Sequence, residues 1–124
     1  VAKITRIQSF GYALAGIRHT LKTQRNAQIH VAAAGMVLIL GLIAHLSRLE
    51  WAILALTSGS VIAAEMLNTA TEAAMDYATT EYHPQIKIVK DVAAGAVLVA
   101  AITAVIVGLL ILGPPLLNLL KTAG

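Results

Sequence analysis

Apolar residues fall along this chain in two distinct ways, periodically near the N-terminus and in long runs thereafter. Between residues 4 and 21, Ile4, Ile7, Phe10, Leu14, Ile17 and Leu21 recur every three or four positions, while Lys3, Arg6, Arg18 and Lys22 occupy other faces. That period predicts an amphipathic basic helix over about 3–24, suited to lying in a membrane surface. A signal peptide is the competing reading, but its apolar residues would be contiguous. Three spans follow, over about 29–49, 51–77 and 91–112, the second apolar to about Leu67 and continuing in helical register to about Tyr77. At 1.5 Å per residue the charge-free stretch Val92–Leu112 covers about 31 Å, the thickness of a bilayer's hydrocarbon core. Gly113-Pro114-Pro115 is expected to stop it. Ala96, Ala100, Ala104 and Gly108 form a small-residue stripe of the kind that lets helices approach closely in lipid. The short polar link around Ser47, Arg48 and Glu50 implies an antiparallel hairpin between the first two spans, with Trp51 at the membrane interface.

Composition agrees with this pattern. Of 124 residues 58% are hydrophobic and 12% charged, against about 25% charged in soluble domains, and the mean hydropathy is +0.80. These values exclude a disordered chain and a water-soluble enzyme. The expected fold is a single all-α integral membrane domain over 1–124, made of one surface helix and three transmembrane helices. The absence of cysteine rules out disulfides and thiolate metal sites. The net charge of +3 does not point to nucleic acid, because the basic residues flank the apolar segments. Five Lys/Arg precede the first span, Arg48 lies between spans one and two, Lys87 and Lys90 between two and three, and Lys121 after the third. The positive-inside rule then predicts a multi-pass protein with a cytoplasmic N-terminus.

The acidic residues carry the candidate chemistry. Glu65, Asn68, Thr69, Glu72 and Asp76 advance by three or four residues and share one helix face. Carboxylates at membrane depth cost at least about 2.5 kcal/mol each and are functional candidates by default. Glu65 lies fourteen residues beyond Trp51, about 21 Å along the helix and about 10 Å from the cytoplasmic edge of the core. It is the candidate general base. Glu72 and Asp76, at the edge, suit a cation with oxygen ligands such as Mg²⁺; for Asp76 a merely solvated helix end is an equal alternative. Lys90-Asp91 is read by itself as a helix cap. Beside the acidic stripe, the same pair gives an ammonium for a phosphate and an acid for a ribose or metal-bound water. His19, His30 and His45 are scattered and are read as interface or loop residues. No Walker A or other glycine-rich nucleotide motif is present.

The run Glu65-Met-Leu-Asn68-Thr69-Ala-Thr-Glu72, then Tyr82-His83-Pro84 and Lys90-Asp91-Val-Ala-Ala-Gly, resembles the prokaryotic diacylglycerol kinase and undecaprenol kinase family. The likeness extends from Ser9-Phe10-Gly11-Tyr12 through the third span. It implies a homotrimer in the bacterial inner (plasma) membrane that phosphorylates a membrane lipid alcohol, undecaprenol or diacylglycerol, with ATP and Mg²⁺ at the cytoplasmic face. By the same resemblance Glu65 is the base, Asn68 an active-site amide and Glu72 a metal ligand. Tyr12, Glu81, Tyr82, His83, Lys90 and Asp91 border the nucleotide. Where the family commonly has a second metal-binding Glu, this chain has Gln24, which offers a neutral oxygen and one negative charge fewer. The stretches Gln24–His30 and Leu49-Glu50-Trp51 resemble the undecaprenol kinase branch more. A rival reading from the acidic residues alone is a non-enzymatic oligomeric transporter or channel. Pathway acids would lie near the midplane between broken helices, whereas these lie toward one face.

Overall fold

A computed structural model describes residues 2–124. They form four helices, α1 (Arg6–Thr23), α2 (Arg25–Ala44), α3 (Arg48–Ala78) and α4 (Pro84–Ala123), with no strand among the described residues. Three of them, α2, α3 and α4, are long and apolar enough to cross a membrane.

Local chemistry sets the boundaries. Thr5 begins α1 with a reciprocal cap: Thr5 Oγ1 accepts from the Gln8 N–H at 3.2 Å, and Gln8 Oε1 accepts from the Thr5 N–H at 2.8 Å. One extended residue, Gln24 (φ −108°, ψ 111°), separates α1 from α2. Gln28 braces this elbow by donating from Nε2 to the Leu21 carbonyl at 3.0 Å, satisfying one of the carbonyls that α1 leaves open. Thr20 and Ala27 are buried at the elbow, while Ile7, Phe10 and Leu14 on α1 are exposed. An apolar helix face that its own chain leaves uncovered suits a bilayer surface.

At the other end of α2, His45 takes the left-handed conformation (φ 54°, ψ 55°) and turns the chain. Ser47 and Glu50 then form a second reciprocal cap, with Ser47 Oγ accepting at 3.2 Å and Glu50 Oε1 accepting at 3.0 Å. The Trp51 ring lies across the hairpin against Gly41, where an added Cβ would stand 2.5 Å from Trp51 Cη2. Packing on α2 therefore helps to place Trp51, in addition to the interface preference expected from sequence.

The fourth helix departs most from expectation. It begins at Pro84, seven residues before the expected start, with His83 Nδ1 accepting from the Gln85 N–H at 3.2 Å. Proline at the first helical position costs nothing, since that N–H would be unpaired. The helix also continues through Pro114 and Pro115 to Ala123, so Gly113-Pro114-Pro115 does not stop it. Each proline leaves one carbonyl a turn earlier without its N–H donor. Opening the whole backbone in lipid would leave many more groups unpaired, which is why membrane helices tolerate proline. The periodic leucines 116, 117, 119 and 120 carry the apolar pattern past it. At 40 residues, α4 is about 60 Å long, twice the hydrocarbon core.

The helices pack loosely, chiefly α3 on α4 with α2 alongside. The buried apolar residues are Ala27, Leu54, Val61 and Leu112. Small residues of the expected stripe, Ala104 and Gly108, line an apolar cleft of about 420 Å³ between α2, α3 and α4 instead of closing a contact. The chain exposes 9275 Å², whereas a compact soluble monomer of 12.9 kDa exposes about 6,300 Å². The excess is mostly leucine, isoleucine and valine, surface that lipid or further protein must cover.

Candidate active site

The acidic stripe on α3 forms a gradient from core to water. Glu65 is 2% exposed, Asn68 and Glu72 are half-buried, and Asp76 is exposed. The cause is the helix itself: Leu54, Val61, Glu65 and Thr69 lie on the face that packs into the helix bundle, and the stripe leaves that bundle as α3 outruns it. From Glu65 to Asp76 the rise is about 16 Å.

At the buried end, two acceptors have no donor. Glu65 Oε2 and Asn68 Oδ1 are inaccessible and unpartnered, although buried polar atoms are nearly always paired. Asn68 is oriented by its other end, since Nδ2 donates to Glu72 Oε1 at 3.3 Å. Thr69 Oγ1 donates to the Glu65 carbonyl at 2.9 Å and leaves the Glu65 side chain alone. A carboxylate oxygen and an amide oxygen one helical turn apart thus both lack a proton donor.

At the exposed end, a cleft of about 670 Å³ opens between the last turn of α3, the loop over 79–83 and the first two turns of α4. It is of the size of small-molecule sites. It brings together Glu81, Tyr82, His83, Lys90 and Asp91, five of the six residues expected at the nucleotide. The sixth, Tyr12, is exposed on α1 and does not line it. Lys90 and Asp91 lie in the second turn of α4, so the reading of this pair as a helix cap is replaced by cross-strap chemistry. Lys90 Nζ donates to Asp76 Oδ1 at 2.5 Å across the α3–α4 turn, and Lys87 Nζ to Asp91 Oδ2 at 2.5 Å within α4. Lys87, Thr79 and Thr80 also line the cleft and were not singled out from sequence. The Lys87–Asp91 spacing of four residues was the available signal.

The expected metal ligands are less gathered. Gln24 sits at the α1–α2 elbow with Nε2 donating to Thr23 Oγ1 at 3.3 Å, and Glu72 bonds only Asn68. No group of three or more His, Asp or Glu among the described residues is close enough to cage an ion. Mg²⁺ does not require such a cage, because it usually binds through one or two carboxylates together with substrate phosphates. A half-buried carboxylate with hard oxygen donors fits that mode.

Residues 11–112 match the family model described as prokaryotic diacylglycerol kinase. The chain is 48% identical over 109 residues to the undecaprenol kinase of Bacillus subtilis, covering 88% of this chain and 89% of that protein. It is 49% identical over 113 residues to a diacylglycerol kinase of Synechocystis, covering 90% of this chain but 65% of that longer protein. A diacylglycerol kinase of Helicobacter pylori is 39% identical over 54 residues, 44% of this chain and 42% of its own length. Three apolar helices and an acidic stripe that runs from the buried Glu65 to the exposed Asp76 accompany a match over most of the sequence, and the chain belongs to the prokaryotic diacylglycerol kinase family of lipid kinases.

Proposed function

We propose that this protein transfers the γ-phosphate of ATP to the hydroxyl of a membrane lipid alcohol at the cytoplasmic face of the bacterial plasma membrane, with undecaprenol the first candidate acceptor and diacylglycerol the second. The observation that carries this reading is the pair of buried, donor-less oxygens on Glu65 and Asn68. A lipid hydroxyl entering sideways from the bilayer supplies the missing donor without bringing water. Its oxygen attacks the γ-phosphorus, its proton passes to the Glu65 carboxylate, and the bond to the ADP oxygen breaks. Phosphoryl transfer rests mainly on positioning and charge stabilisation, so few side chains suffice. Asn68 positions the hydroxyl, its amide held in one orientation by Glu72. Lys90 takes a phosphate, and Glu81, Tyr82, His83 and Asp91 line the space for the rest of the nucleotide.

Glu72 would hold Mg²⁺, with Gln24 as a neutral oxygen, and Tyr12 approaches the nucleotide from α1. When bound, the ion neutralises charge on the transferring phosphate. The large uncovered apolar surface supports assembly into a homotrimer, and the five Lys/Arg that precede the first span support a cytoplasmic N-terminus.

The test is transfer of ³²P from ATP, with added Mg²⁺, by purified protein in bicelles containing undecaprenol, diacylglycerol or ceramide. Label is expected in undecaprenol ahead of diacylglycerol. A folded protein that labels none of the three overturns the proposal.

A further inference from the structure

The cleft between the end of α3 and the start of α4 carries more acidic than basic groups. Its lining carries three carboxylates, Asp76, Glu81 and Asp91, against two ammonium groups, Lys87 and Lys90, a net charge of −1 where a polyanion is to bind. Both cations are already engaged, Lys87 with Asp91 and Lys90 with Asp76. The two pairs differ in kind. Lys87 and Asp91 are neighbours on one helix and pair wherever α4 forms. Lys90 and Asp76 are fourteen residues apart, and theirs is the one hydrogen bond between side chains of two different helices among the described residues.

We infer that Asp76 is a placeholder counter-ion for the nucleotide phosphate: it holds Lys90 in the cleft while the site is empty, yields it when phosphate arrives, and takes it back when ADP leaves. The inference rests on the proposed nucleotide reading of the cleft. Three observations carry it. Asp76 is the stripe member farthest from the buried acceptor end, about 16 Å from Glu65, too far to share the proton transfer. Its side chain is 68% exposed and that of Lys90 37%, so the pair is in high dielectric and weak enough to exchange, as exposed ion pairs are. The Asp76 carboxylate is a single charge, and a nucleotide phosphate presents more charge and more acceptor oxygens to the same ammonium. Asp76 acts through Lys90 and is a positioning residue.

The experiment measures binding of ATP with Mg²⁺ to the full-length protein in detergent without lipid acceptor, for wild type, Asp76→Asn, Asp76→Glu and Lys90→Met. Asp76→Asn is expected to lower the Kd about two- to fivefold, the range in which an exposed pair competes. Asp76→Glu, which keeps the charge, is expected to restore the wild-type Kd, and a merely structural role for Asp76 would not produce tighter binding. The steady-state counterpart is a lower KM for ATP without a higher kcat. In the wild type, whose folding is not at issue, the Lys90 ammonium resonance in ¹⁵N-lysine-labelled protein is expected to shift when ATP is added. An Asp76→Asn variant that binds ATP as wild type does, or more weakly, overturns the placeholder role, as does an unmoved Lys90 resonance under saturating ATP. A wild type that does not bind ATP, or a Lys90→Met variant that binds it equally well, overturns the nucleotide reading of the cleft and the placeholder with it.

Discussion

The two ends of α3 are built to opposite standards. At its N-terminal end Ser47 and Glu50 cap each other, and Trp51 fills the space above Gly41 so closely that an added Cβ would force it to shift. Toward its C-terminal end, Glu65 and Asn68 keep buried oxygens without donors, while exposed Asp76 is paired. That is the reverse of what stability favours, since burial makes an unpaired polar atom expensive and exposure makes an ion pair nearly worthless. Under the proposed function, the sealed end folds the chain and the unfinished end receives the ligand.

The sharpest test is at Glu65. Replacing Glu65 by Gln removes the proton acceptor with little change of shape. Loss of a general base lowers turnover about 10²- to 10⁴-fold, and kcat for lipid phosphorylation is expected to fall by that much. Thermal unfolding in detergent is expected to be unchanged or raised, because a neutral amide is cheaper to bury than a carboxylate. Turnover within tenfold of wild type would remove Glu65 as the base and with it the reading of the unfinished end.

Gly41 tests the sealed end in the opposite sense. In Gly41→Ala the new Cβ falls 2.5 Å from Trp51 Cη2 and 3.0 Å from Leu46 Cδ1. Trp51 belongs to the opposing helix and Leu46 to the connecting turn, and the nearer atom is the far edge of a rigid ring. Overpacking of this kind costs about 1–3 kcal/mol, read as a lower unfolding temperature. Turnover per folded molecule is expected to stay at the wild-type level. Loss of activity without loss of stability would show that the two ends are not separable.

How much of this was legible in the sequence follows from which forces are local. The helices and the 65-68-69-72-76 face were readable because helical period is a property of neighbours in the chain. The caps follow the same local rule, since Thr5-x-x-Gln8 and Ser47-x-x-Glu50 carry the capping-box spacing. The α4 ends were misjudged for two reasons. Proline stops helices in water, but a membrane helix continues through Pro114 and Pro115, and at the other end Gln85, Lys87 and Lys90 interrupt the apolar residues of the first turns and separate them from the charge-free run. The gathering of Glu81, Tyr82, His83, Lys90 and Asp91 was expected from family resemblance, and the cleft contains all five. The Lys90–Asp76 pairing was illegible, because it depends on how the 79–83 loop folds α4 back against α3. Tyr12 and Gln24 lie on α1 or its elbow, and no local pattern brings them to that cleft.

The smallest expected effect is at His45, where the sealed end carries its one backbone irregularity. His45 has φ 54°, the one positive φ outside glycine among the described residues. A side chain in the left-handed region costs about 1–2 kcal/mol because Cβ crowds the following carbonyl. Glycine adopts the region freely and is the usual residue just past a helix end. His45→Gly therefore removes crowding in the folded state but adds freedom to the unfolded chain, a cost of about 0.4–1 kcal/mol. The two nearly balance, leaving a net stabilisation of about 0.5–1 kcal/mol and a small rise in unfolding temperature, with turnover unchanged. If instead His45→Gly lowered turnover at constant stability, the imidazole would have a part in the reaction, and the sealed end would not be purely structural.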